Sequence, residues 1–557
     1  MKDTNQRLFL AIALWLAVYF AWSAFFGPKK PAQTPAKSVA AAAPPSGAQT
    51  APPPATPTQT AEKSRETARP PTRLVSLETE RMRVVATSDG GALQSIQLKG
   101  DKWARHKGAK EEAQVDLVGQ RAGEPLPFAT RIVASDGTEI LPADAGYTVA
   151  RQNDDSVSFR AIRGDVSVLK TLTLNPKTYA VQVSVEVQSA SGLTGQLMVL
   201  SGAHAEEPSG GFFGSRSNLP ARAICLGGNN KVERLAVGAK EPKFESAGAG
   251  FAGIDEQYFL SAILAPQGVS ASCTLTAQGQ KSGSLVAALA VPLQIAPGAP
   301  QKLDFGGYAG PKDSDELNAV AKPLAHSIDW GIWQVIAELL LGVMKFFQRV
   351  VPPHNWGIAI ILLTLAMKAV TFPLQHKSMK SMQEMQRIQP QLEEMKKKYA
   401  GDTQRQNVEQ MKLFKEHGVN PMGSCLPMII QMPIWFALYT TLQVSVDLYN
   451  EPFIPGWLND LTARDPYFVL PVAMGITMIL TQILTPSPVS NASQKTMGYV
   501  MSGFFSLLML TYPAGLTLYI FTNNILSIVQ QVYLRRTMKP PPAGGQTLTV
   551  APKGGGK

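Results

Sequence analysis

Five apolar runs crowd the C-terminal part of this chain, at 357–375, 426–446, 467–485, 496–511 and 514–534, each nearly free of charge. About 20 apolar residues in a helix match the ~30 Å hydrocarbon layer of a bilayer, and lipid tolerates only backbones that satisfy their own hydrogen bonds. The runs therefore read as membrane helices. Residues 73–325, polar enough for a soluble protein, read as a separate domain, so the 45% apolar content is an average over two solvents.

A sixth run, Leu8 to Phe26, follows the basic start Met1 to Arg7 and carries Trp15, Tyr19 and Trp22. It exceeds a usual signal-peptide core and lacks a small-x-small cleavage motif before Gly27-Pro28, which predicts an uncleaved signal anchor over 1–26 with its N-terminus inside. Residues 27–72, rich in Pro, Ala, Gln and Thr, have little to bury and are expected to be a disordered tether.

From Arg73 the pattern changes to short alternating runs with turn signals, such as VSVLKTLTL, then Asn175-Pro176, then YAVQVSVEV. Val181, Val183, Val185 and Val187 fall on one face, the period-2 mark of a half-buried strand, and the domain is expected to be an all-β sandwich over 73–325. Its adjacent acids, Asp154-Asp155 and Glu206-Glu207, read as solvated loops rather than an acid–base pair. Residues 326–355 contain an apolar helix interrupted by Glu338, Lys345 and Arg349 and stopped by Pro352-Pro353, which favours a helix lying in the membrane interface.

The spans are then expected at 356–375, 420–446, 467–485, 496–511 and 514–534, making an α-helical polytopic membrane protein of six transmembrane helices with the anchor included. Between them, 376–419 is expected to be a helical hairpin turning at Gly401-Asp402, 447–466 a loop and 535–557 a tail. His376 to Gly418 holds nine Lys or Arg, whereas Asp447 to Asp465 holds only Arg464. The basic loop belongs inside, which places both termini in the cytoplasm and the β domain outside.

The net charge of +11 is thus a topology signal rather than a sign of nucleic-acid binding. The three cysteines, Cys225, Cys273 and Cys425, have no metal-ligand or CxxC spacing, and no metal or cofactor is expected. Cys225 and Cys273 share the extracytoplasmic domain, where a disulfide is permitted, but sequence does not show that they meet. No Walker, HExxH or GxSxG motif occurs, in keeping with a protein that is not an enzyme.

Lys368 interrupts an otherwise apolar run, at roughly 2.5–3.5 kcal/mol on insertion scales. Two readings fit it: a hydrated groove, or snorkelling to the surface near His376, about 12 Å away along the helix. Thr364 lies four residues before it on the same face, and Gln431, Asn523, Asn524 and Gln530 give the later spans polar positions. Pro421, Pro427 and Pro433 suggest a kinked helix lining a cavity. On the hairpin, Met382, Met385, Gln389, Leu392 and Met395 fall near one face, either a surface that re-packs around varied partners or ordinary filler between helices.

Four stretches, MKAVTFPLQHKSM, VNPMGSCLPMIIQMPIWFALY, DPYFVLPVAMGITM and YPAGLTLYIFTNNILSIVQQ, together with the order of segments, resemble the YidC membrane protein insertase family of Gram-negative bacteria. The resemblance covers nearly the whole chain. It implies a five-helix core around a hydrophilic groove, a large periplasmic domain, and an inner-membrane protein that takes hydrophobic segments of nascent membrane proteins and releases them laterally into the lipid bilayer. It would act alone or with the Sec translocon, whose accessory subunits would meet the periplasmic domain. The family's groove charge, usually Arg, falls on Lys368, which keeps the cation and loses the planar fork of donors. The resemblance further implies that the hairpin captures substrate, that Met432 and Trp435 form an apolar slide, and that Tyr519 faces substrate, with Ile520 in place of the ring often found next to it.

A transporter would also explain a membrane lysine and broken helices, but it calls for internal repeats that this sequence does not show. An anchored periplasmic enzyme or glycan-binding protein would place all function in 73–325. The tail after Lys539 carries two lysines and reads equally as a ribosome contact or a disordered end.

Overall fold

The computed structural model describes residues 70–105, 113–118, 123–206, 219–417, 421–484 and 492–537. The expected anchor, nearly all of the tether and most of the tail lie outside the described residues. From Arg73 onward the chain forms one unit.

Alternation decides the β domain. Strand 166–174 buries every second residue, and strand 181–189 does the same through Val181, Val183, Val185 and Val187, all fully buried. The two pair antiparallel in a nine-stranded sheet whose order by residue is 232–235, 222–226, 251–255, 259–264, 300–311, 181–189, 166–174, 156–163, 148–152. A six-stranded sheet, in the order 243–247, 272–277, 282–295, 193–206, 129–134, 139–141, packs against it, which makes the domain a sandwich. A three-stranded sheet over 74–98 completes the main layers.

Cys225 on the first sheet and Cys273 on the second are joined in a disulfide, both fully buried, with Cα atoms 6.4 Å apart. The bond staples the sheets together across 48 residues of chain. By loop entropy alone such a closure stabilises by about 4 kcal/mol.

Below the sandwich, α1 (Ser314–Val320) is capped by Asp313, whose carboxylate accepts from the N–H groups of Asp315 and Glu316. Short 3-10 turns lead to α2 (Gln334–Val350). One face of α2, with Ala337, Leu340, Leu341 and Met344, is buried, while Ile332 just before it and Val335, Leu339, Phe346 and Val350 within it point outward. Lys345, on its polar flank, pairs with Asp313 at 3.5 Å and Asp447 at 3.2 Å.

Helix α3 (Trp356–Arg387) does not stop at residue 375. It runs through Pro373 for 32 residues, roughly 48 Å at 1.5 Å per residue, and takes in the start of the expected hairpin. The break falls at Ile388, because Pro390 has no N–H to continue the ladder of α3 and its ring would meet the carbonyl four residues back, so it suits only the first turn of a new helix. The hairpin proper is α4 (Gln389–Lys398) and α5 (Thr403–Glu416), joined at Gly401 with φ +98° and capped by Asp402.

The remaining helices are α6 (Pro421–Val444), α7 (Val469–Leu484), α8 (Ala492–Met509) and α9 (Ala514–Thr537). Helix α6 is continuous through Pro427 and Pro433, so these prolines do not interrupt it. Two described stretches, Gly331–Val350 and Trp356–Met385, are long and apolar enough to cross a membrane, and Ile429–Val444, Val469–Leu484 and Thr496–Met509 are shorter apolar segments. Helix α3 packs on α2, α6 and α9, while α9 also packs on α7 and α7 on α8.

Lys170 occupies an inward position between Val168 and Leu172 and is fully buried. Its ammonium donates to the carbonyls of Gly90, at 3.3 Å, and Phe128. Burial pushes it down to about 7 from 10.5. The unfolded chain then binds the extra proton between these values, so stability is lost as pH falls from about 10.5 to about 7 and is flat below. Denaturant titrations of the β domain should show this slope. Lys170→Met should flatten it and raise stability near pH 7 by about 1–3 kcal/mol, the carbonyls left unpaired offsetting part of the gain.

Candidate functional site

Helices α3, α6 and α9 meet pairwise, and two hydrogen bonds between polar side chains link them within an otherwise apolar core. Lys368, half-buried on α3, donates to Ser527 Oγ on α9 at 2.8 Å, and Ser527 donates to the Asn523 carbonyl at 2.7 Å. Lys368 lies about 18 Å along α3 and Ser527 about 20 Å along α9. Among the described residues no carboxylate pairs with Lys368. A hydroxyl provides a dipole but no countercharge, so the cation remains available to an anion.

A second link joins α6 to α9, where Gln431 Nε2 donates to the Tyr519 hydroxyl at 3.0 Å. Tyr519 is only 3% exposed and packs inside the bundle. Thr364 is also buried, its hydroxyl donating to the Ile360 carbonyl within α3 at 2.7 Å. Met432 is 47% exposed, whereas Trp435 is half-buried against Phe436 and Tyr439. Asn524 Nδ2 and Gln530 Nε2 are buried with no hydrogen-bond partner among the described residues, which leaves α9 with donors to spare.

Ser527 is the contact that inspection of single residues passes over. Asn523, Ser527 and Gln530 or Gln531 recur at helical spacing, and that stripe on an apolar helix is the signal that identifies it.

The family model of the YidC periplasmic domain matches residues 74–343, and that of the 60Kd inner membrane protein matches 346–541. A membrane protein insertase YidC of Anaeromyxobacter dehalogenans (strain 2CP-C) is 40% identical over 98% of this chain and 100% of the relative. The chain belongs to the YidC membrane protein insertase family. Its relative from Pelobacter propionicus is 33% identical over 96% of this chain and 99% of that one. Insertases of this family are integral to the inner membrane and are not enzymes. A galactose mutarotase-like protein from Lactobacillus casei overlies 42% of this chain and 100% of its own at 9% identity, with a TM-score of 0.29, a likeness too slight to carry weight.

The hairpin of this YidC relative turns Met385 and Met395 inward. Met385 and Leu392 are buried with Ile388 and Phe414 in a small core separate from that of the bundle, and Met395 packs against it. Met382 is half-buried, and the outward apolar side chains are Val408 and Met411 on α5. Met385, Leu392 and Met395 therefore hold the hairpin together, as filler between helices does. Leu392→Ala should lower hydrogen-exchange protection across α4 and α5 and leave α6 and α9 unchanged, because the two cores share no residue.

Proposed function

We propose that this chain receives hydrophobic segments of nascent inner-membrane proteins in a polar groove between α3, α6 and α9 and releases them sideways into lipid. The observation that supports this reading best is Lys368, a cation amid an apolar run whose hydrogen-bond partner is a hydroxyl and not a carboxylate. Polar and acidic groups of a short translocated segment would exchange water for this ammonium, Ser527 and the spare amides of Asn524 and Gln530, and so avoid full desolvation. The apolar remainder would partition into lipid at ~25 cal/mol per Å² buried, which drives the step without a nucleotide.

Met432 is exposed at the edge of this groove, and the outer face of the hairpin, with Val408 and Met411 among basic residues, would make first contact with the arriving chain. The bundle would comprise five spans plus the anchor, with both termini cytoplasmic and the β domain periplasmic. Lys345, held between Asp313 and Asp447 at the foot of the β domain, suits α2 lying in the interface rather than crossing the membrane. The chain would work alone on short substrates and beside the Sec translocon on longer ones. Ribosome contact would fall to the basic cytoplasmic face.

Insertion of a single-span substrate into liposomes containing only this protein tests the reading. Lys368→Ala should cut insertion by at least ~10-fold, the scale of about 1.4 kcal/mol, while Lys368→Arg retains most of it. Equal insertion by all three forms would reduce Lys368 to a snorkelling residue.

A further inference from the structure

Helix α2 has three faces. Ala337, Leu340, Leu341 and Met344 are buried, and Val335, Leu339 and Phe346 are exposed and apolar. Glu338, Gly342, Lys345 and Arg349 recur at intervals of three and four residues and so form a narrow flank of their own. That flank lies roughly a quarter turn around the helix from the exposed apolar row.

Between the flank and α1 is a cavity of about 360 Å³, whose walls include Ser314, Asn318, Trp330, Glu338, Gly342 and Lys345. This volume lies at the lower end of the ~300–1,000 Å³ range of small-ligand sites. Gly342 leaves the room open, since a Cβ there would meet nothing within 4 Å.

The charges on the walls do not balance. Lys345 lies 3.2 Å from Asp447, 3.5 Å from Asp313 and 3.8 Å from Asp315, so carboxylates already outweigh its ammonium. Glu338 accepts from Gln334 Nε2 at 2.9 Å and pairs with no cation among the described residues. One turn beyond Lys345, the exposed Arg349 pairs with no carboxylate among them. Surplus negative charge beside an indole wall suits a primary ammonium, and a free guanidinium about 10 Å along the helix from Gly342 suits a phosphate.

We propose that this cavity seats the headgroup of a phospholipid that carries a primary ammonium, with the ammonium at Glu338, the phosphate toward Arg349 and the acyl chains along Val335, Leu339 and Phe346. This rests on α2 lying in the membrane interface. The apolar row beside the cavity favours a lipid over free phosphoethanolamine, which would leave that row in water.

Native mass spectrometry of full-length protein offered equal amounts of phosphatidylethanolamine and phosphatidylcholine tests the site, because the trimethylated ammonium of the second has no N–H to donate. Wild type should retain the first roughly tenfold over the second. Glu338→Gln, which removes the charge from an exposed side chain, and Gly342→Leu, which fills the cavity, should each bring the ratio close to one. Equal retention by wild type, or a preference unchanged in either variant, overturns the site. Displacement of the lipid by an equal concentration of free phosphoethanolamine overturns the lipid assignment. The interface reading has its own check: Leu339→Cys with Cys425→Ser leaves one free thiol, since Cys225 and Cys273 are joined, and a fluorophore on it should be quenched by brominated acyl chains in liposomes. Quenching without a headgroup preference overturns the site and spares the interface, and no quenching overturns both.

Discussion

Hydrogen bonds between one loop and the first turns of α3, α7 and α9 are the constraint on which the rest of the helical region depends. The first N–H groups of a helix have no partner within it, and at the edge of a membrane they need one. Here carbonyls at 461 and 463 and the carboxylate of Asp465 supply partners for α9 and α7, and Asn355 caps α3. Because one loop serves several helices and also holds the Tyr449 ring against the β domain, helix spacing and domain docking are set together.

Buried cations are the second theme. Lys170 meets backbone carbonyls in the sandwich. Lys312 lies against Asp255 at 2.6 Å in a network that reaches Arg222, and although the carboxylate favours its charge, burial is the larger influence and lowers its affinity for a proton. Lys368 meets a hydroxyl. The first two find their hydrogen-bond partners inside the domain that holds them. The third carries charge with no fixed counterion among the described residues, the arrangement expected of a site whose anion arrives from elsewhere.

Much of the architecture was legible because periodicity is a local property. Val181 to Val187 announced a strand with one buried face, and the uncharged runs after Trp356 announced apolar helices, since each pattern repeats within a few residues. The end of α3 was harder to read. The change from apolar to polar residues near 375 marks where the apolar run stops, not where the helix stops, and the backbone continues until Pro390 constrains it. The hairpin methionines illustrate the same gap: their shared face is visible in the sequence, but whether a partner or a neighbouring helix covers it depends on α5, which turns Leu413 and Phe414 toward them.

Sequence by itself determined the two-solvent character of the chain, the β and helical segments, the family, and Lys368 as the exceptional residue of an apolar run, because composition and period act over short stretches. Only the tertiary structure decided that Cys225 meets Cys273 across two sheets, that Ser527 receives Lys368, that Tyr519 turns inward to Gln431, and that one loop joins the helix ends to the β domain. Each of these pairs residues far apart in the chain, and such pairings are set by how whole elements pack, which no local pattern encodes.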